Sequence, residues 1–308
     1  MKRYSVSGIL MDALQRFGTA TLVIILFSSL LTAALVSVEA LENLHKIKIA
    51  VTQPVIGKIV VEAFGDYVDV TTLIPPGADP HHYEPSLNEI LEVIRDCEAI
   101  FTSGPHHLAI EDKILDLVSE GYIDIPVYTL DDYASRGLRI LKINDKENYH
   151  GTLLSYSGAK ALIETFLDFV SSTHPELYPE MKTLASNYLN ALRLVSEKAS
   201  ERFAGVRVAL YSPVLQYVLY DLNASIRFIL TEDPETPSTI NDLQTILESW
   251  ETKKFDLVVI TDIDTRVDNK IEEYIKQNHI EYLKINVLGR SPLDIYGQLA
   301  YTEHFKSN

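Results

Sequence analysis

The chain of 308 residues has a single cysteine, a single tryptophan and three methionines. The lone Cys97 excludes an intramolecular disulfide framework and every all-thiolate metal site, so a metal held by this chain takes nitrogen and oxygen ligands. Cys97 also precedes an apolar stretch and reads as a core residue, and no Gly-x-Ser-x-Gly segment offers an activated serine. Basic residues are scarce as well. Against 43 Asp and Glu stand 27 Lys and Arg, a formal net charge of -16, which argues against a binder of phosphate backbones. The sequence has no repeats and no low-complexity tracts. Its 46% hydrophobic content, with 13 Gly and 13 Pro, is that of a folded globular protein and too high for a disordered tail.

What is present in unusual concentration is one apolar run. Thr19 to Val38 carries no charge over 20 residues, with Lys2, Arg3 and Arg16 before it and Glu39 and Glu42 after it. That bias keeps the N-terminus cytoplasmic and sends the remainder outward. Val38-Glu39-Ala40 offers a small-residue cleavage site, yet 20 apolar residues rising about 1.5 Å each also span a hydrocarbon core of roughly 30 Å. Residues 1–40 are therefore read as a signal peptide or signal anchor. The remainder is expected in the periplasm or at the cell surface, anchored if the segment stays uncleaved. No lipid-accepting cysteine follows the run. The exported part keeps 41 acids and 24 bases, -17 over 268 residues, enough chain for two domains.

From residue 46 short β-branched runs alternate with helical stretches, the pattern of parallel sheets built by crossover units. Strands are expected at Ile47-Val51, Val68-Ile74, Ala99-Thr102 and Pro126-Thr129, with helices near 54–64, 86–96 and 109–120. Ser86-Leu87-Asn88-Glu89 fits a capping box. A second series places strands at Arg207-Leu210, Ile226-Leu230, Leu257-Ile260 and Tyr282-Ile285, with helices near 213–222, 239–252, 268–278 and 292–304. Between the series, Thr152 to Thr173 reads as one helix, and a longer one follows His174-Pro175 to about Phe203. In the latter Leu184, Tyr188, Leu192 and Val195 form an apolar stripe, with Glu180, Lys182, Asn190 and Arg193 off it. The expected organisation is an N-terminal α/β lobe at 45–174, a linking helix at 175–203 and a C-terminal α/β lobe at 204–308. A helical linker resists bending where a Gly or Ser linker would not.

The chemistry concentrates in histidines. Pro75-Pro76-Gly77-Ala78-Asp79-Pro80-His81-His82-Tyr83-Glu84-Pro85 follows an apolar strand, and open α/β sheets bind ligands at the carboxyl ends of their strands. An isolated histidine there would be read as an idle loop residue. However, Ser103-Gly104-Pro105-His106-His107 follows the next strand in the same relative place, and Asn148-Tyr149-His150 opens the helix after the fourth. Five of nine histidines thus map to one sheet edge, as imidazole ligands of a transition metal would. His45, His174, His279 and His304 read as surface residues.

Asp79-Pro80-His81-x-Tyr83-Glu84-Pro85, Gly104-x-His106, Asn148-x-His150, the long linker helix and Thr236-Pro237-Ser238, in that order, resemble the zinc- and manganese-binding solute proteins of ABC importers, the cluster A-I group. The resemblance covers about residues 46 to 290. It implies two Rossmann-like lobes, each with a mainly parallel four-stranded sheet, joined by a rigid helix. It also implies one metal ion in the cleft, with His81 and His150 as first and second ligands. The implied partners are an ABC permease and its ATPase. A monomer is expected, with no nucleic acid bound.

This sequence departs from that pattern at the other two ligands. The stretch after the first strand of the second lobe, where a His or Glu is expected, is Tyr211-Ser212-Pro213. Asn286 stands near Leu288-Gly289, where an Asp is expected. His106 and His107 are candidates to compensate with a nitrogen ligand. Glu232, Asp233, Asp262 and Asp264, at strand ends, are candidates to line the cleft, although a solvated-loop role is the ordinary reading for each.

Two or three neutral imidazoles without a nearby carboxylate favour Zn2+ over Mn2+, which prefers oxygen. The leading expectation is a non-enzymatic receptor delivering zinc to a permease. A second is a paralogue with weak metal binding or another ligand, motivated by Ser212 and Asn286. A third is a zinc hydrolase with Glu84 as general base, ranked last because Glu84 belongs to the motif of the non-enzymatic family.

Overall fold

The structure is a computed structural model that describes residues 46–75, 80–104 and 108–302. The apolar run Thr19 to Val38, together with His45, Asp79, His106, His107 and His304, lies outside the described residues. Among those described, no helix is long and apolar enough to cross a membrane.

The N-terminal sheet contains β1 (Ile47–Val51), β2 (Val68–Thr72), β3 (Ala99–Phe101) and β4 (Val127–Tyr128), in the order β2-β1-β3-β4. Every pairing is parallel, with Ile49 opposite both Val70 and Ala99. Helices α1 (Pro54–Phe64), α2 (Leu87–Ile94), α3 (Ala109–Ser119) and α4 (Leu130–Ser135) follow the four strands in turn. An antiparallel hairpin then pairs β5 (Lys142–Ile143) with β6 (Lys146–Glu147). Its two turn residues, Asn144 and Asp145, have φ of 47° and 68°. That left-handed pair is what a tight two-residue hairpin needs, and Asn and Asp tolerate it best among non-glycine residues.

Helices α5 (Tyr156–Thr173) and α6 (Tyr178–Phe203) connect to the second sheet. The latter is formed by β7 (Arg207–Leu210), β8 (Ser225–Ile229), β9 (Leu257–Thr261) and β10 (Tyr282–Ile285), all parallel, in the order β10-β9-β7-β8. Around it lie α7 (Gln216–Asp221), α8 (Ile240–Glu251), α9 (Asp262–Val267), α10 (Ile271–Gln277) and α11 (Pro292–Tyr301). Numbered from its own first strand, each half reads 2-1-3-4. The same doubly wound unit therefore occurs twice, as the alternation of runs predicted. Strands β3 and β9 are buried along their whole length, which explains their unbroken apolar sequence.

One hydrophobic core runs through both halves. It joins Ile49 and Phe101 of the first sheet to Leu210 and Val259 of the second. Helix α6, 26 residues and about 39 Å long at 1.5 Å per residue, buries Met181, Ala185, Tyr188, Leu192, Ala199 and Phe203. It packs against α1, α5 and α11. Lys58 of α1 reaches the other half, donating to Gly289 O at 3.0 Å and to Asp294 at 2.7 Å.

Local departures from the sequence expectation have identifiable causes. The helix expected over Thr152 to Thr173 is interrupted at Ser155, whose hydroxyl caps α5 by accepting from Gly158 N at 3.0 Å and leaves Thr152–Leu154 as a separate 3-10 turn. Consequently Asn148-Tyr149-His150 does not open a helix directly after β4. Helix α4 and the hairpin intervene. His174 is not a surface residue: its ring is largely buried, with Nε2 2.5 Å from Glu98 Oε2. Cys97 does sit in a core cluster.

Candidate metal centre

The loop carrying His81 begins as a continuation of the sheet. Beyond β2, Leu73 N donates to Val51 O at 2.8 Å and Ile74 N to Thr52 O at 3.3 Å. Its far end is equally fixed. Ser86 and Glu89 form the expected capping box on α2, Glu89 N donating to Ser86 Oγ at 3.3 Å and Ser86 N to Glu89 Oε2 at 2.6 Å. Buried Pro85 accepts from the Lys113 ammonium of α3. Between these anchors the His81 side chain is 23% exposed, whereas His82 and Glu84 are exposed.

His150 is held from its own strand end. Asn148 is 2% exposed, and its Oδ1 accepts from His150 N at 2.9 Å and lies 3.2 Å from His150 Nδ1. The amide NH2 of Asn148 donates across to the second half, to Gln216 Oε1 at 2.8 Å and Pro213 O at 3.3 Å. Tyr217 closes the same junction, its hydroxyl donating to Asn148 O at 2.6 Å and accepting from Leu141 N at 2.9 Å. The next residue, Gly151, has φ of 70°, and a Cβ there would stand 1.9 Å from Val214 O. Only glycine allows the two halves to approach this closely beside the histidine.

His81 and His150 come together, their ring centroids 5.8 Å apart and tilted by 40°. Burial pushes the His150 imidazole down to about 4, opposed by the Asp233 carboxylate and assisted by His81. A buried imidazole that stays neutral well into acid is in the protonation state a metal requires.

Asp233 and Glu235 belong to the loop after β8. There Thr231 continues the sheet, its N and Oγ1 both donating to Tyr211 O, at 2.9 and 3.1 Å. Glu232 is clamped to the β5–β6 hairpin by Asn144 at 2.8 Å and Lys146 at 3.0 Å. Asp233 Oδ1 accepts from Glu235 N at 2.7 Å, and Glu235 Oε1 stands 3.9 Å from His81 Nε2. The remaining strand-end carboxylates have other work. Asp262 Oδ1 accepts from Val287 N at 2.8 Å and Leu288 N at 3.3 Å. Asp264 is no solvated loop residue. It is fully buried, caps α9 through Thr261 N at 2.6 Å, and is pushed up to about 6 by burial against those hydrogen bonds.

Glu111 plays the corresponding part in the first half. Buried on α3, it accepts from Thr52 Oγ1 at 2.6 Å, Ser103 N at 2.6 Å and Ser103 Oγ at 2.8 Å. Each sheet therefore fills the crevice between its first and third strands, the usual ligand position of such folds, with a buried carboxylate. The histidines gather instead beyond the second strand and the hairpin.

Tyr211 is fully buried, its hydroxyl donating to Asp268 Oδ2 at 3.0 Å and accepting from Ser238 N at 2.9 Å, and Ser212 is buried at 3% exposure. Asn286 is exposed at the end of β10, with its backbone held by Gln298 at 2.9 and 2.8 Å. Among the described residues no group of three or more His, Cys, Asp or Glu already forms a metal cage. Glu235 was not anticipated from the sequence. The signal was nonetheless there: Thr231-Glu232-Asp233-Pro234-Glu235 is a proline-braced polar loop after an apolar strand, as the His81 loop is.

Comparison with known proteins bears on the fold and the family. The Manganese ABC transporter substrate-binding lipoprotein PsaA of Streptococcus pneumoniae serotype 4 is 31% identical over 91 residues, 30% of this chain and 29% of that protein, so the match spans under a third of the relative. Similar solved structures include the SBP FpvC from Pseudomonas aeruginosa in complex with Mn2+, with a TM-score of 0.66 at 18% identity, covering 83% of this chain and 96% of that one. A crystal structure of ZnuA aligns with a TM-score of 0.64 at 16% identity over 83% of this chain and 98% of that one. The family described as ZnuA, zinc-uptake complex component A periplasmic, matches residues 49–306. With that match spanning nearly all of the described fold, the chain belongs to the ZnuA family of periplasmic zinc-uptake components.

Proposed function

We propose that this chain is an exported solute-binding protein that captures a divalent metal ion, zinc, in a cleft between its two lobes and delivers it to the permease of an ABC importer and its ATPase. The observation that carries this reading is the meeting of His81 and His150, with ring centroids 5.8 Å apart and the Nε2 of His150 shielded from solvent. The family description supports a transport protein rather than an enzyme. The lobes correspond to 45–174 and 204–308 with the linking helix at 175–203, and residues 1–40 direct export, placing the site outside the cytoplasm.

The sequence favours zinc for want of a nearby carboxylate. Asp233 and Glu235 remove that premise. What now supports zinc is the general order of divalent affinities, in which Zn2+ exceeds Mn2+ at a given nitrogen and oxygen site. The relative PsaA is described as a manganese protein, so both ions belong in the test. Isothermal titration of the full chain with Zn2+ should show one site that is lost in the double variant His81→Ala, His150→Ala. Equal affinity in the double variant overturns the reading.

A second reading, a paralogue with weak metal binding, is favoured by the burial of Ser212 where a ligand is expected. It predicts wild-type affinity no better than that of the double variant.

A further inference from the structure

Two histidines from one half cannot by themselves close a four-coordinate site, and the positions at which the other half was expected to answer are Ser212 and Asn286. We propose that the loop after β8 answers instead: Asp233 and Glu235 ligate the same metal ion as His81 and His150. This rests on the function proposed above and names the other half of its site.

Topology is the first support. Strand β8 holds the place in the second sheet that β2 holds in the first, so the Asp233 loop and the His81 loop are equivalent segments of a repeated fold. Each prolongs its strand by two residues of pairing with the neighbouring strand end, Leu73 and Ile74 in one and Leu230 and Thr231 in the other, before turning away.

Distance is the second. Glu235 Oε1 lies 3.9 Å from His81 Nε2. Two ligand atoms bound tetrahedrally to zinc at about 2.0–2.1 Å stand roughly 3.3 Å apart. The gap is thus about half an ångström from ligand spacing, within the reach of one side-chain rotation. Asp233 sits on the same turn two residues earlier, its Oδ1 accepting from Glu235 N at 2.7 Å, so the two carboxylates are presented together.

The third support is how the neighbouring acids are used. Glu232 ties the loop to Asn144 and Lys146 of the hairpin that leads into His150. Asp262 holds the Val287-Leu288 backbone, Asp264 caps α9, and Asp268 accepts from Tyr211 and from Ser238 Oγ at 2.5 Å. Each of these four is engaged with protein groups other than the two histidines, whereas Glu235 Oε1 is the carboxylate oxygen that approaches His81, on the turn closed by Asp233. Chemistry agrees: two neutral imidazoles and two carboxylates neutralise a divalent cation, removing most of the penalty for drawing it out of water.

The test is chelator competition with Zn2+ and with Mn2+ on the full chain, comparing wild type, Asp233→Asn with Glu235→Gln, and His81→Ala with His150→Ala. Asparagine keeps the Oδ1 that accepts from Glu235 N, so the loop turn survives the change. The carboxamide variant should lose at least about 10-fold in zinc affinity, since even outer partners of a ligand cost 10- to 100-fold. Manganese should lose more, because it depends more on oxygen donors. Unchanged affinity in the carboxamide variant, with loss in the histidine variant, overturns this inference alone. Unchanged affinity in the histidine variant overturns the proposed function and this inference with it.

Discussion

Asn148 fixes His150 at two points, accepting from its backbone N at 2.9 Å and lying 3.2 Å from its ring Nδ1. Because the Asn148 amide NH2 is already directed at Gln216 and Pro213, its oxygen is the end that faces the ring. Nδ1 then carries the proton, and Nε2 keeps the lone pair that a metal takes. Asn148 is thus a positioning residue that sets the tautomer of its neighbour while bridging the two halves.

Replacing it should separate these duties. Asn148→Ala removes the acceptor for His150 and strands the Gln216 side chain. Unfolding free energy should fall by about 1–3 kcal/mol, and zinc affinity by roughly 10- to 100-fold. Calorimetric unfolding and zinc titration on the same preparation check both. A loss of stability with affinity intact would mean that Asn148 only bridges.

Acid should weaken the metal-free protein through His150. Its folded value, about 4, lies below the ordinary 6.5 because burial opposes the charged ring. Between those values the unfolded chain binds a proton that the folded chain refuses. This contribution is therefore fully present above about 6.5 and lost as the pH falls toward 4. A displacement of that size corresponds to an amount on the order of 3 kcal/mol. Denaturant unfolding at neutral pH and near pH 4.5 should show a smaller acid loss in His150→Gln than in wild type.

Gly151→Ala should be among the most damaging single changes near the site. The added methyl would meet the Val214 carbonyl at 1.9 Å in a backbone with φ of 70°, so both the strain and the clash fall on the residue after His150. Loss of more than about 3 kcal/mol is expected, in the range of exceptional substitutions, with weakened zinc binding in whatever folds. Near-native stability would show that the halves separate here at little cost.

Tyr296→Phe probes the junction away from the metal. The buried Tyr296 hydroxyl accepts from Tyr156 N at 2.9 Å and lies 3.4 Å from Asp221, whose carboxylate also accepts from Ser157 N at 2.9 Å. The second half thereby caps the first turn of α5. Removing the hydroxyl takes from Tyr156 N its 2.9 Å acceptor and from Asp221 a donor, a cost of about 1–3 kcal/mol. The urea midpoint should fall at unchanged slope, with zinc affinity preserved.

Much of the scaffold was legible because it follows local pattern. Strands β1, β7 and β10 have the limits their apolar runs predicted, and so does α1 behind Pro54. The apolar stripe through Tyr188 and Leu192 is the buried face of α6. Short elements escaped notice. The β5–β6 hairpin has two residues per strand and no apolar alternation, while the six-residue helices α4 and α9 are announced only by their capping boxes, Thr129 with Asp132 and Thr261 with Asp264. The site divided the same way. His81 and His150 stood out because histidine is rare and the two occur in motifs, whereas Asp233 read as one of four strand-end acids with a solvated-loop role and Glu235 was hidden among 43 acids. The packing of the β8 loop against the hairpin is what brings Glu235 to His81.

The most direct test of the account is an anomalous-diffraction map at the zinc edge, from crystals of the zinc-loaded protein. The account predicts one strong peak about 2.0–2.1 Å from a ring nitrogen of both His81 and His150. A peak held by other residues, or none between those two rings in protein carrying one equivalent of zinc, would contradict it.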